Sequence, residues 1–149
     1  GNYPYGNYKT NNNSLLFPIN PKDSRLPLKE RVHGIIINGI AKVYQFKNFQ
    51  DSIQVIHDSF QNKELVIAGS QIDNFIVSFE RKLNDTTLLT FSQLQNKLPV
   101  VMKDNEGTEW DIFGFGVSGP RAGEKLTPAV SFIGYWLAWG AFYPNTEIY

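Results

Sequence analysis

Few residues of this chain could carry out acid, base or nucleophilic chemistry. Among 149 residues there are two histidines, His33 and His57, and no cysteine. The missing thiolates exclude thiol nucleophiles, iron–sulfur clusters and cysteine zinc sites. A site of two histidines and one carboxylate would have to recruit Asp58 or another acid across the fold. A strand histidine held by hydrogen bonds is the preferred interpretation, and we expect no metal and no cofactor.

Four carboxylates lie within the eight residues Asp104–Asp111. They do not fit an EF-hand calcium loop, which needs glycine at its sixth position, because Gly107 is only the fourth residue from Asp104. Carboxylates on one tight turn seldom face each other across a cleft, as glycoside hydrolysis requires. We interpret the segment as a solvated turn, with a weak metal or ligand site as the alternative.

The segment Gly114–Gly119 satisfies the pattern G-x-G-x-x-G. A dinucleotide site also needs a following helix and an acidic residue about twenty positions later. Because Pro120 follows at once, we prefer a glycine-rich loop that permits close backbone approach, with amides that could cradle an anion beside Arg121. Ser118 has the wrong spacing for a nucleophile elbow, so a serine hydrolase is not expected.

Aromatic residues are concentrated in the last third of the chain, around Trp110, Trp136 and Trp139. Core packing is the preferred interpretation, because each ring must hide a large area. The alternative is a groove for a flat ligand such as a sugar.

Charge and hydropathy limit the partners. Fourteen Lys and Arg balance fourteen Asp and Glu, so no general field attracts nucleic acid. The longest dense apolar stretch, Phe132–Tyr143, is too short for the roughly twenty residues of a membrane-spanning helix. The chain starts at Gly1, which is not a natural initiator, so we expect that an upstream signal peptide or anchor could have been removed.

The pattern predicts a flexible tail over residues 1–14 and a single β-rich domain over residues 15–149. Asn38-Gly39 between two β-branched runs predicts a hairpin over Val32–Phe46. The spacing of Phe49, Ile53, Ile56 and Phe60 predicts a short helix that passes into a strand, and Ser131–Phe142 is a second candidate helix. Further strands, separated by Gly69, Asn84-Asp85 and 96–99, are predicted at Leu65–Ala68, Phe75–Arg81, Thr87–Phe91, Val100–Lys103 and Glu109–Phe115. The fold class is therefore α+β: mostly antiparallel strands, as a meander or sandwich, with one or two short helices.

The ordered landmarks resemble domain-of-unknown-function family 3179 over residues 18–149. The landmarks are the hairpin that ends in Ala41-Lys42-Val43-Tyr44, the strand Leu65–Ile67, the turn from Asp104 to Trp110, the segment Gly119-Pro120…Leu126, and Trp136…Trp139…Pro144. The resemblance implies a fold and a candidate cleft, and no reaction.

The chain departs from that family at its central strand. Members usually have a Tyr-Cys-Pro-Leu-Cys segment there, whereas this chain reads Ile67–Asn74 without cysteine. His57-Asp58 stands near an expected Asn-Asp. The resemblance therefore implies that His57, Ser70 and Gln71 are positional remnants. If those cysteines bind metal or exchange electrons in relatives, this chain cannot do so.

We expect a binding or structural module without catalysis, which recognises a glycan or a protein outside the cytoplasm of a bacterium, in the periplasm or cell envelope. Its candidate binding residues are Tyr44, His57, Ser70, Gln71, Asp104 and Trp110. The alternative is a hydrolase-like enzyme, with a cleft that joins Tyr44, His57, Ser70, Gln71 and Asp104, in which the carboxylates could hold a hard divalent ion. A protein partner would require an exposed apolar patch.

Overall fold

The Asn38-Gly39 pair turns the chain between its first two strands. The computed structural model of the chain describes residues 30–129, 131–135, 143 and 145–149, with only the backbone described at 131–135. The backbone φ is 54° at Asn38 and 76° at Gly39, the positive values that a type I′ turn needs at both central residues. The predicted hairpin is confirmed.

Eleven β-strands in the described residues form three sheets. Their bounds are β1 Arg31–Ile37, β2 Ile40–Gln45, β3 Gln54–Phe60, β4 Lys63–Ser70, β5 Phe75–Glu80, β6 Phe91–Gln93, β7 Val100–Asp104, β8 Glu109–Asp111, β9 Gly116–Ser118, β10 Ser131–Tyr135 and β11 Glu147–Ile148. The sheet orders are β10-β1-β2-β11, β3-β4-β5 and β6-β7-β8-β9. All pairs are antiparallel except β11 with β2.

The two predicted helices are wrong, and the fold is mostly β instead of α+β. Residues Ser131–Tyr135 pair with β1 as a strand, because tertiary pairing outweighs a weak helical pattern; residues 136–142 lie outside the described residues. After Phe49 the chain forms no helix before β3, and only a short 3-10 turn, Phe46–Asn48, precedes it. Ile56 and Phe60 are four residues apart, a spacing that places side chains on one face of a strand as well as of a helix.

The other strand predictions agree with the structure in position, with three differences. The predicted strand Glu109–Phe115 ends at Asp111, the last residue of β8. Gly69 was expected to separate strands but lies within β4, and the chain turns later, at 71–74. Of the predicted strand Thr87–Phe91, only Phe91 belongs to β6. The predicted tail, residues 1–14, falls outside the described residues.

The sheet β3-β4-β5 is the middle layer. Alternate residues of β4 face opposite sides: Val66 and Ala68 join one apolar cluster, and Leu65 and Ile67 join another. The first cluster includes residues of β6, β7 and β8, and the second includes residues of β1 and β2. The middle sheet is therefore covered on both faces, which explains the nearly continuous apolar run of β4.

Candidate functional site

Tyr44 lies in β2 and is fully buried between the first and middle sheets. Its hydroxyl donates a 2.7 Å hydrogen bond to Asp58 Oδ2, and Lys42 Nζ lies 2.7 Å from the same oxygen. Burial, and then the neighbouring Asp58 carboxylate, raise the pKa of Tyr44. The rings of Tyr44, Phe60 and Tyr149 surround the Lys42 ammonium at 5.5–5.9 Å. Lys42 and Asp58 therefore form an ion pair that is mostly shielded from solvent, with each charge facing its partner.

His57 faces the opposite side of the middle sheet from Asp58, since the two are neighbours on β3. Its Nε2 accepts the Phe91 backbone N–H at 3.0 Å, and its ring stacks on the Phe91 ring. The acceptor role requires an unprotonated Nε2. Burial, and then the Arg81 charge, lower the pKa of His57 and favour that state. The imidazole therefore joins the middle sheet to the third sheet.

Ser70 and Gln71 stand at the end of β4 and fix the turn that follows. Ser70 Oγ donates to the Asp51 carbonyl at 2.8 Å and accepts the Asp73 N–H at 3.1 Å. The Gln71 side-chain amide donates to the carbonyls of Phe49 and Lys47. Both side chains attach this turn to the segment between β2 and β3.

Asp104 and Trp110 lie on the two strands that flank the turn 105–108. Asp104 Oδ1 accepts the backbone N–H groups of Glu106, Gly107 and Thr108 at 2.8–3.1 Å. Its Oδ2 accepts the indole N–H of Trp110 at 2.9 Å. Trp110 is fully buried in the core, so the preferred core interpretation of this ring agrees with its position; Trp136 and Trp139 lie outside the described residues.

Of the six predicted binding residues, Asp104 and Trp110 are the one pair that a side-chain hydrogen bond joins within the described part of the chain. Tyr44 and His57 lie on opposite faces of the middle sheet. Ser70 and Gln71 are at the end of β4. The structure thus brings together two of the six and distributes the other four.

The glycine pattern of 114–119 packs tightly against other residues, which confirms the loop of close backbone approach. A Cβ atom added at Gly114 would lie 2.6 Å from the Phe79 ring, and one at Gly116 would lie 2.6 Å from the Arg121 carbonyl. β9, Gly116–Ser118, begins inside the pattern, in place of the helix that a dinucleotide site needs.

The Arg121 guanidinium is already engaged by carboxylates. It contacts Glu106 at 2.8 Å, Glu124 at 3.2 Å and Asp85 at 3.4 Å. The hydrogen bond to Glu106 raises the pKa of Arg121. Arg121 therefore joins the three turns that carry these acids, which is a different role from the anion cradle that the sequence allowed.

Sequence reasoning missed an exposed apolar surface beside these glycines. Phe113, Phe115 and Val117 alternate with Gly114 and Gly116 and point outward, with the Phe113 side chain 62% and the Val117 side chain 47% exposed. The buried side has room only for glycine, so the large side chains face solvent. The alternation of large residues with glycine is the signal that could have revealed this surface.

Leu98 extends that surface. It is exposed, and it precedes Pro99, whose carbonyl accepts the Ile112 N–H at 2.9 Å. This pairing places the segment of Leu98 beside that of Phe113. We call Leu98, Phe113, Phe115 and Val117 the apolar patch.

Within the described ranges, no three His, Asp or Glu side chains are grouped as a metal ion would require. The same ranges contain no helix with the length and hydropathy to span a membrane.

Comparison with known proteins finds one family. No curated protein and no solved structure matches the chain. The profile of DUF3179, described as a protein of unknown function, matches residues 1–146. In this chain the Cys-containing segment of the family is replaced by a cysteine-free one. Since the match covers nearly the whole chain, the chain belongs to the DUF3179 family.

Proposed function

We propose that this chain is a non-catalytic binding module that recognises another protein through the apolar patch. The observation that carries the proposal is the exposure of Phe113, Phe115 and Val117 within one short stretch of chain whose backbone pairs with the segment of Leu98. Contiguous exposed apolar side chains mark contact surfaces in soluble proteins. Aromatic residues are also enriched at the centres of protein interfaces, where they contribute most of the binding free energy.

The surroundings of the apolar patch support this proposal. The Lys125 ammonium lies 5.4 Å from the Phe115 ring. Lys97, which precedes Leu98 in the loop between β6 and β7, forms a 2.8 Å ion pair with Glu109 of β8. An apolar centre with charged residues around it is the usual composition of a protein interface.

A glycan is the other ligand class that the sequence allowed, and the described rings favour it less. Trp110 is fully buried, so it offers no face on which a sugar could stack. The exposed rings, Phe113 and Phe115, have aliphatic neighbours in Leu98 and Val117. Such a surface suits apolar side chains better than sugar hydroxyl groups, which need hydrogen-bonding partners.

The non-catalytic part of the proposal is supported by what the reactive side chains do. His57 accepts a backbone amide, and Asp104 accepts three amides and one indole. A general base must reach the proton that it removes, and these groups are used in holding strands and turns together. The hydrolase-like alternative predicts turnover that is lost in His57→Ala.

The location is part of the proposal. A chain without cysteine suits an oxidising compartment as well as a reducing one, and we propose the periplasm or cell envelope of a bacterium. Fractionation of cells with an antibody to the chain tests this; recovery in the cytoplasmic fraction would contradict it.

Site-specific photo-crosslinking in the source cells tests the protein partner. A photoreactive residue replaces Val117 in the apolar patch or, as the control, Ile72, an apolar side chain that is 72% exposed on the turn after β4. We expect a covalent adduct with a discrete protein at position 117 and none at 72. No adduct at 117, or equal adducts at both positions, would overturn the proposal. A change of intrinsic fluorescence with a glycan panel, without any adduct, would favour the glycan instead.

A further inference from the structure

A cavity of about 280 Å³ lies at the start of β1, away from the apolar patch. Its lining residues are Glu30, Arg31, Phe46, Lys47 and Gln71. Two of them are cationic and one is anionic. The cavity therefore has a formal charge of +1.

Arg31 is held in place by a ring. Its guanidinium carbon lies 3.9 Å from the centroid of Phe46, a buried aromatic residue of the 3-10 turn. Stacking on an aromatic face orients the planar guanidinium while its N–H groups remain available at the edge. Because the Arg31 guanidinium is already oriented, binding an acceptor costs less conformational entropy.

Among the described residues, the cationic donors of the cavity, Arg31 and Lys47, form no ion pair with an acidic side chain. In the part of the chain that the structure describes, seven ion pairs form, and none uses Arg31 or Lys47. The side-chain hydrogen bonds of that part also leave both cationic groups unused. Arg121, by contrast, contacts three carboxylates.

Gln71 fixes the wall that carries Lys47. Its amide nitrogen donates to the Lys47 carbonyl at 3.4 Å and also to the Phe49 carbonyl. The turn of Gln71 is itself held by Ser70. Gln71 is thus a positioning residue for the cavity. It is also one of the six candidate binding residues predicted from the sequence.

We propose that this cavity binds the carboxylate of a small ligand, with Arg31 as the bidentate donor and Lys47 as a second positive charge. A guanidinium fork matches the two oxygens of a carboxylate. Because Glu30 reduces the net charge to +1, a singly charged carboxylate suits the cavity better than a phosphate dianion. The volume is below that of a drug-sized pocket, so the ligand portion that enters is about the size of one sugar-acid ring or one acidic side chain.

Titration of the isotope-labelled chain with sodium acetate, followed by NMR, tests this site. We expect saturable shifts of the Arg31 side-chain N–H signal and of the Lys47 amide signal. Glucuronate and N-acetyl-aspartate amide are separate arms that distinguish a sugar acid from an acidic peptide group. Tighter binding of either one than of acetate supports the proposal and names the source.

Variants keep the test decisive. Arg31→Gln should weaken acetate binding about tenfold or more, because a charge-assisted hydrogen-bonded pair is lost. Arg31→Lys should restore only part of the affinity, because lysine lacks the two-pronged guanidinium. Lys47→Gln should weaken binding several-fold, whereas Lys103→Gln, which removes an exposed lysine on β7, should not. Amide spectra confirm that each variant is folded.

Three outcomes would overturn the carboxylate site. These are acetate shifts that miss Arg31, unchanged binding in Arg31→Gln, and an equal loss in Lys47→Gln and Lys103→Gln. Inorganic phosphate that binds more tightly than acetate would overturn the choice of carboxylate. None of these outcomes depends on the apolar patch.

Discussion

The indole nitrogen of Trp110 donates a 2.9 Å hydrogen bond to Asp104 Oδ2, across the turn that separates β7 from β8. The other oxygen of the same carboxylate accepts three backbone amides of that turn. One buried side chain thus accepts hydrogen bonds from four donors, of which the Trp110 indole is fully buried. Within the acidic segment, which the sequence also allowed as a ligand site, the Asp104 carboxylate stabilises the fold.

Replacing Asp104 with asparagine should destabilise the chain by about 2 kcal/mol or more. The amide group can accept through only one of its two heavy atoms, so either the buried Trp110 indole or the three turn amides lose their side-chain acceptor. Urea unfolding followed by fluorescence measures the loss.

The control for this variant is Asp111→Asn. Asp111 Oδ1 alone accepts the amides of Phe113 and Phe115, so an asparagine carbonyl can replace it. We expect a loss of under about 1 kcal/mol. Equal losses in the two variants would contradict the double use of the Asp104 carboxylate.

Gly119→Ala should be much more destabilising than Gly123→Ala. Both glycines have positive φ, 97° and 92°, so both substitutions carry backbone strain of about 1–2 kcal/mol. A Cβ at Gly119 would also lie 2.6 Å from the Gly107 carbonyl oxygen, whereas nothing lies within 4 Å of one at Gly123. The free energies of unfolding of the two variants check the difference; similar values would show that the close contact has little effect.

His33 should make the stability depend on pH. It is buried, with Nε2 2.9 Å from Ser78 Oγ, and burial lowers its pKa from 6.5 to about 3. Between those values the unfolded chain binds one more proton than the folded chain. The free energy of unfolding therefore rises with pH across that window, by up to about 1.4 kcal/mol per pH unit, and this contribution is constant above it.

Unfolding at several pH values between 4 and 8 compares the chain with His33→Gln. The slope below about pH 6.5 should be smaller in the variant by that amount. A variant that keeps the full slope would show that other groups cause the dependence.

Tyr44→Phe should cost more stability than Ser59→Ala, although each removes a hydroxyl that donates to a carboxylate at 2.7 Å. The Tyr44 bond is partly buried beside the Lys42–Asp58 ion pair. The Ser59–Glu64 bond is exposed, so water can take the place of the lost hydroxyl. We expect about 1–2 kcal/mol for the first variant and under about 0.5 kcal/mol for the second. The melting temperatures of both variants test this difference. Equal decreases would mean that burial does not strengthen the Tyr44–Asp58 hydrogen bond.

Local signals were sufficient for part of the fold. Asn38-Gly39 predicts its hairpin because positive φ at both positions is a property of those two residues. Ser131–Tyr135 was predicted as a helix because its pairing with β1, almost a hundred residues earlier, leaves no trace in the local pattern. The four-residue spacing of Ile56 and Phe60 fits both kinds of element.

The candidate sites depended still more on distant contacts. His57 was visible as a residue type, but its use as an acceptor for Phe91 depends on how two sheets pack. The cavity at Arg31 joins residues from β1, the 3-10 turn and the turn after β4. The sequence does contain a signal for the apolar patch, since large residues alternate with glycine there. The same residues also fit a nucleotide-binding pattern.

The most direct test of the proposed function is the yield of the Val117 cross-linked adduct in cells that carry Phe113→Ser together with Phe115→Ser. Both rings are exposed, so the double variant should remain folded, and Ile72→Ser is the matched control. The account predicts that the adduct falls about tenfold or more in the double variant, as expected when aromatic contacts at the centre of an interface are lost, and that it is unchanged in the control. An undiminished adduct in the double variant would contradict recognition through the apolar patch.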